Sequence, residues 1–348
     1  MNWTMGPFVK CKKENPCLCP DNQYVFDCPV QKRPIHWMEK DVFNPAAVVK
    51  DGKVHLLFRA EDAVGSHAGT SRIGMAISED GVHFEIQPSP VFYPDHDDCL
   101  DWEWDGGCED PRIVEREDGV YVMLYTSYDG QVARLCSASS TDLCHWQKHG
   151  PVFRNAYDGK YADLYCKSGS VVTRRQGERF VAERIGGRYL MYFGEGRLYA
   201  ATSDDLLSWE PVELLPEGGK EAGLYPLMLP RRARYDEFLC EPGPQAIITD
   251  KGILLLYNGK CSNPERLGGH TTLYAAGQVL FDKENPLEVV ARMTEPFLSP
   301  SEDFELNGQV MPTCFIEGLV YFKGNYFLYY GTADSKVAVA TCPHQEGM

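Results

Sequence analysis

The sequence has no stretch approaching the roughly 18 consecutive apolar residues that a membrane-spanning helix needs. Basic residues are in short supply: 34 Lys and Arg against 50 Asp and Glu leave a formal net charge of −16 over 348 residues. A nucleic-acid surface needs clustered Lys and Arg to displace counterions, and an anionic membrane asks the same, so neither partner is expected. The opening run, Met1 to Lys10, has no basic region followed by an apolar one. A cytoplasmic location is therefore expected, or a periplasmic or secreted one had a leader been removed. Also missing are a GxSxG elbow, a GxxxxGK[ST] loop and an HExxH pair, which excludes the commonest serine-hydrolase, nucleotide and zinc-protease signatures. Apolar periodicity of the helical kind is scarce.

Paired CxxC spacing is absent too, although the chain has 13 cysteines. Cys11, Cys17, Cys19 and Cys28 could be argued as a metal cluster, but their spacing fits no zinc pattern. Cys136, Cys314 and Cys342 lie in apolar runs, where a reduced thiol behaves as a small hydrophobe. An odd number of cysteines so placed suits a reducing compartment. His145 and His149 are four apart, but in a turn-rich segment rather than on one helical face. No metal and no organic cofactor is expected.

What is present is a hydrophobic fraction of 43%, an aromatic fraction of 12% (Tyr 19, Phe 16, Trp 6), and a repeat. A turn glycine followed by an apolar and aromatic run recurs five times: Gly52-KVHLLFR, Gly119-VYVMLYT, Gly187-RYLMYFG, Gly252-ILLLYNG and Gly324-NYFLYYG. The glycines are spaced 67, 68, 65 and 72 residues apart. A β-branched run precedes each glycine, and a further strand-like run follows. In the first three units that later run ends in Ser-x-Asp, with an aromatic four residues after the Asp: Asp80 and Phe84, Asp142 and Trp146, Asp205 and Trp209. Runs of this length bounded by Gly, Asp and Pro read as strands.

Length alone suggests about two domains, but three or four strands per unit, repeated five times, describe an all-β, five-bladed β-propeller spanning residues 1–348 as one domain. The competing reading is a two-sheet sandwich, which has no need of near-constant spacing. The fifth unit shows no fourth strand, and the segment near Gly6-Pro-Phe-Val-Lys-Cys is expected to supply it.

In a propeller the residues just before each innermost strand emerge at one mouth of the axis. These are Asn44, Glu109-Asp110, Lys167-Ser168 and Cys240-Glu241. The second strand returns antiparallel, bringing Arg59 with Glu61-Asp62, Asp129, Glu195 and Asp334 to the same mouth. Asp62, Asp129 and Asp334 all stand ten residues after their glycines. Taken alone, Asp62 and Asp129 read better as solvated turn residues or arginine partners. Asp110, in Gly-Gly-Cys-Glu-Asp-Pro-Arg, is a stronger candidate, because glycines admit close approach, proline stiffens the chain and Arg112 can orient a neighbouring acid. Glu195, between two glycines, interrupts an apolar strand end, and Glu241 precedes the stiff Pro242-Gly243-Pro244. Acids converging among aromatics suit glycosidic cleavage, in which one carboxylic acid protonates the leaving oxygen and a second group drives attack at the anomeric carbon.

Over residues 35 to 341 the chain resembles glycoside hydrolase family 130, the mannosidases and mannoside phosphorylases. The stretches that carry the resemblance are FNPAAVVKDGKVHLLFRAED, TSRIGMAISEDGVHF, GGCEDPRI, ARLCSASSTDLCHW, EPGPQAI and FIEGLVYFKGNYFLYYGTADS. The resemblance implies a five-bladed propeller with Asp110 as general acid. It implies that Asn44, Arg59 and Asp334 hold the terminal mannose, and that Arg134 lies near the leaving-group or phosphate side. The family's phosphorylases carry a basic cluster, including an arginine after the third aromatic strand and a histidine in a Tyr-His-Gly stretch of the fourth. Here the third unit reads Tyr192-Phe193-Gly194-Glu195-Gly196 and the fourth Tyr257-Asn258-Gly259, although Lys167 and Arg134 remain. The resemblance is therefore to the hydrolytic branch acting on β-1,2-linked mannosides, with Glu195 or Glu241 as the base. The expected activity is an inverting, exo-acting β-mannosidase whose partner is a mannoside oligosaccharide. The alternatives are a phosphorylase making mannose 1-phosphate and a non-catalytic, glycan-binding propeller.

Overall fold

The computed structural model describes residues 3–63, 69–214, 222–262, 272–310 and 312–344. Strand β1 (Val9–Lys10) is followed by a small hairpin of β2 (Val25–Cys28) and β3 (Arg33–His36). The chain then forms a nearly all-β body. Its first sheet contains β4 (Asp41–Lys50), β5 (Lys53–Glu61), β6 (Ser71–Ser78) and β7 (Glu85–Ile86), each antiparallel to the one before. The second repeats this order with β8 (Gly107–Glu115), β9 (Tyr121–Tyr128), β10 (Ala133–Ser140) and β11 (Gln147–Pro151).

In the third sheet β12 (Gly169–Gln176) runs on into a small excursion, β13 (Arg179–Ala182) and β14 (Arg184–Ile185), before β15 (Arg188–Phe193), β16 (Tyr199–Ser203) and β17 (Glu210–Pro211) complete the pattern. The first strand of the fourth sheet is broken into β18 (Leu239–Pro242) and β19 (Ala246–Thr249) by Gly243-Pro244, followed by β20 (Gly252–Cys261), β21 (Leu273–Phe281) and β22 (Val289–Arg292). The fifth comprises β23 (Cys314–Phe322), β24 (Asn325–Thr332) and β25 (Lys336–Pro343). Strand β1 lies on its outer edge, with Val9 opposite Thr341 and Lys10 opposite Ala340.

The repeat has a local cause. The five unit glycines all adopt positive φ, from 70° at Gly52 to 148° at Gly252, where a Cβ would be strained. After the third strand, Ser78, Ser140 and Ser203 each donate to the Asp two residues on. Those aspartates in turn accept backbone N–H groups two and three residues ahead, closing the same turn three times.

Side chains alternate across each strand, so the two faces of a sheet pack against different neighbours. Leu57, Ile73 and Met75 of the first sheet meet Met123 and Tyr125 of the second. Leu124 and Leu135 of the second meet Met191 and Phe193 of the third. Leu190 and Tyr192 of the third meet Leu255 and Tyr257 of the fourth, and Leu254 and Leu256 of the fourth meet Leu328 and Tyr330 of the fifth. Leu56 and Phe58 of the first complete the series against Val320 and Tyr329 of the fifth, with Trp37 and Phe26 added. The apolar core is thus a set of inter-sheet seams rather than one central mass.

Among the described residues no helix is long and apolar enough to cross a membrane. All 13 cysteines are free thiols, and Cys136, Cys314 and Cys342 are buried. No group of three or more His, Cys, Asp and Glu among the described residues is arranged to hold a metal ion. His145 instead pairs with Asp142 at 2.7 Å and His149 with Ser139 at 2.8 Å.

Candidate active site

The first strands of three sheets are bulged where they enter the site. Register slips between Phe43 and Pro45 in β4, between Glu109 and Arg112 in β8, and between Ile316 and Gly318 in β23. A bulge leaves a residue outside the ladder and re-aims its side chain. Asn44 and Asp110 occupy two of these bulges, with φ of 47° and 49°. The Asn44 amide donates to Asp110 at 3.0 Å. Gly331 permits this arrangement, because a Cβ there would sit 2.3 Å from the Asn44 oxygen.

Around this pair lies a cavity of about 90 Å³, lined by Asn44, Arg59, Asp110, Lys167, Glu195, Glu241, Tyr274, Thr313, Phe315 and Asp334. Seven residues singled out in the sequence therefore meet in one place, contributed by all five sheets or the segments leading into them. Arg59 is the central cation: it approaches Glu61 at 2.7 Å, Glu109 at 3.0 Å and Asp110 at 3.2 Å. Lys167 faces Glu109 at 3.8 Å. Glu241 accepts a short hydrogen bond from the Ser168 hydroxyl. Glu195 stands exposed at the mouth.

Burial pushes every one of these carboxylates up, and the cations decide how far each rises. At Asp110 the pull of Arg59, Lys167 and Arg112, with the Asn44 hydrogen bond, outweighs burial and holds the carboxyl below its ordinary value. At Glu109 burial wins over the same cations, and the group is raised. Burial and the nearby Glu195 drive Glu241 up to about 8, while burial opposed by Arg59 leaves Asp334 at about 7. Glu195 is raised by partial burial, opposed by Lys167. Burial works against the charge on Lys167, yet Glu109 and Asp110 hold it protonated. The pocket thus combines an ionised carboxylate, proton-holding carboxyls and aromatic rings at Tyr274 and Phe315.

Arg134 does not line this cavity; its guanidinium is held by Asp129 at 2.7 Å and Asp163 at 3.0 Å. Asp62, at the same offset as Asp334, is fully buried against Arg72 at 2.7 Å. Both aspartates are arginine partners. Sequence reasoning missed Tyr274, Thr313 and Phe315 because none stands at a repeat landmark. It also missed Glu317, which is buried beside Arg112 at 2.8 Å; the IEG in FIEGLVYF, a charge inside an apolar run, was the available signal.

A multi-sheet β body whose convergent pocket sets carboxyls against cations beside aromatic side chains suits chemistry on glycosides. The chain belongs to glycoside hydrolase family 130: the family model, described as β-1,4-mannooligosaccharide phosphorylase, matches residues 12–348. A 1,2-β-oligomannan phosphorylase of Thermoanaerobacter sp. (strain X514) is 30% identical, over 87% of this chain and 90% of that protein. A putative glycoside hydrolase of Bacteroides ovatus ATCC 8483 has a solved structure with 45% identity and a TM-score of 0.93, covering 100% of this chain and 99% of that one. A further structure, 44% identical with a TM-score of 0.93 over 100% and 99% of the two chains, is described as showing that the family contains glycoside hydrolases that target β-1,2 mannosidic linkages in Candida mannan.

Proposed function

We propose that the five sheets are the blades of a single five-bladed propeller, and that the protein is an inverting, exo-acting hydrolase of β-1,2-linked mannosides. The seams joining successive sheets, including the fifth to the first, support the propeller reading. The observation that carries the hydrolytic reading is the charge inventory of the pocket. Its two cations, Arg59 and Lys167, already face carboxylates, and four acids surround the cavity. A phosphate dianion entering there has to displace Asp110 or Glu109 from these cations, whereas water needs no cation and meets a candidate base. The fourth sheet supplies Lys260, which lies 4.9 Å from the Tyr274 ring and acts on Glu195, but no cation at Asn258, whose side chain is tied to the backbone of Ile316 at 2.8–3.0 Å.

In this reading Asn44, Arg59 and Asp334 grip the terminal mannose, with Tyr274 and Phe315 against its ring. Asp110 protonates the leaving oxygen. Without substrate Asp110 is ionised, so it becomes an acid only in the complex, when sugar hydroxyls draw on Arg59 and Asn44 and water leaves. Its proton comes from the pool held by Glu241 and Asp334. Because Glu241 keeps its proton to about 8, we assign the base to the mouth residue Glu195. Inversion needs acid and base about 6.5–9.5 Å apart, with water between them.

Phosphorolysis is the second reading, favoured by the activity printed for the Thermoanaerobacter relative. The two separate in one experiment: NMR of the products from β-1,2-mannobiose with and without inorganic phosphate. Hydrolysis gives mannose, initially as the α anomer, at equal rate in both buffers. Phosphate-dependent appearance of mannose 1-phosphate would overturn the hydrolytic reading.

A further inference from the structure

The two candidate acids belong to different sheets, so something must fix their separation, and two buried side chains outside the cavity lining do so. Arg112, 4% exposed, follows Asp110 by two residues in β8. Its Nη1 donates to the Asp110 carbonyl at 3.2 Å, its Nε to the Gly243 carbonyl at 2.9 Å and its Nη2 to the Pro242 carbonyl at 3.0 Å. Nη2 also meets Glu317 of the fifth sheet at 2.8 Å. Ser170, fully buried in the third sheet, donates to the carbonyls of Gly243 and Pro244 at 3.0 and 2.6 Å. The turn so held is the break between β18 and β19, where Pro242 and Pro244 have no N–H to pair and the Gly243 N–H, bonded to the Leu256 carbonyl at 3.0 Å, is the donor between them.

We propose that Arg112, seconded by Ser170, is a positioning residue that clamps the turn after Glu241 to the backbone of Asp110 and so sets the geometry of the acid pair. The inference rests on the reading above of Asp110 as the acid and Glu241 as the proton-holding carboxyl of the same pocket, but not on whether water or phosphate attacks. A guanidinium fork with five donors can reach three carbonyls and a carboxylate from one position, and a lysine ammonium cannot. Displacing catalytic groups by about 1 Å can cost on the order of 10²-fold in rate without weakening binding.

The experiment compares Arg112→Lys, Arg112→Met, Ser170→Ala and Asp110→Asn on β-1,2-mannobiose, with and without phosphate, normalising rates to folded protein. Expected are kcat losses of about 100-fold in both Arg112 variants and about tenfold in Ser170→Ala, with KM within threefold. Arg112 lowers the carboxyl pKa of both Asp110 and Glu241, each also facing Lys167, with Arg59 and Asn44 at Asp110 and Glu195 and Ser168 at Glu241. Removing the cation therefore moves the limb of the pH–rate profile that reports the acid to higher pH in the Met variant, while the Lys variant keeps it in place. A merely structural role would lower the folded fraction and leave kcat and that limb alone. A folded Arg112→Lys with kcat within threefold of wild type would overturn the proposal. Should that variant not fold, an unchanged kcat in Ser170→Ala does the same. If Asp110→Asn keeps its rate, it is the assigned acid, not the clamp, that is wrong.

Discussion

Asp110 and Glu241 are buried to the same degree, each 4% exposed, yet their carboxyls move in opposite directions. Asp110 lies on the cation side of the pocket, against Arg59 and Asn44, and is held ionised. Glu241 lies on the side where its close partner is the neutral Ser168 hydroxyl and a second glutamate is near, and it keeps its proton to about 8. Burial alone does not set a protonation state; the neighbours do. Two carboxyls driven apart in this way leave one ionised and one proton-holding group in the pocket, so Asp110 must gain its proton on forming the complex before it can act as an acid.

The harshest way to break the comparison is Asp110→Asn. Loss of a general acid is worth about 10²–10⁴-fold, so kcat should fall by about a thousandfold with little change in melting temperature. A variant retaining a tenth of the wild-type rate would remove Asp110 from that role. A sharper comparison sets Glu195→Gln beside Glu241→Gln. The base assignment predicts a loss of at least ~100-fold for Glu195→Gln and a smaller one for Glu241→Gln, and the reverse order would move the base to Glu241.

The smallest effect is on stability. Between about pH 5 and 8 the folded protein holds protons on Glu241 and Asp334 that the unfolded chain has released, so stability falls as pH rises through that window. Asp110 acts with the opposite sign, its contribution being lost only below its ordinary pKa near 3.8. A shift like that of Glu241 corresponds to on the order of a few kcal/mol. Glu241→Gln should therefore melt higher than wild type at pH 8 and show a flatter slope of melting temperature against pH. Equal slopes would mean that Glu241 is ionised throughout.

Much of this architecture is legible in residues 52 to 334 because the repeat is enforced locally. A glycine at positive φ and a Ser-x-Asp turn need only their own neighbours, so they mark the same strand ends in every unit that carries them. The candidate site is legible where a charge interrupts an apolar strand or a stiff turn, as at Asp110, Glu195 and Glu241. It is less legible where equal positions diverge. Asp62, Asp129 and Asp334 share an offset, but Arg72 takes the first and Arg134 the second, leaving only Asp334 in the pocket.

The repeat, the strand order it sets and the candidate acids thus follow from the chain itself, since turns and alternating strands are short-range consequences of residue type, whereas the β2–β3 hairpin, the β13–β14 excursion and the split of β18 from β19 carry no repeat landmark. Protonation, by contrast, is decided by groups far apart in sequence: Arg59 beside Asp110, Ser168 beside Glu241, Arg112 across to Pro242 and Gly243. Electrostatics and hydrogen bonding act through space at a few ångströms, and only the packing of one sheet on the next brings those groups within reach.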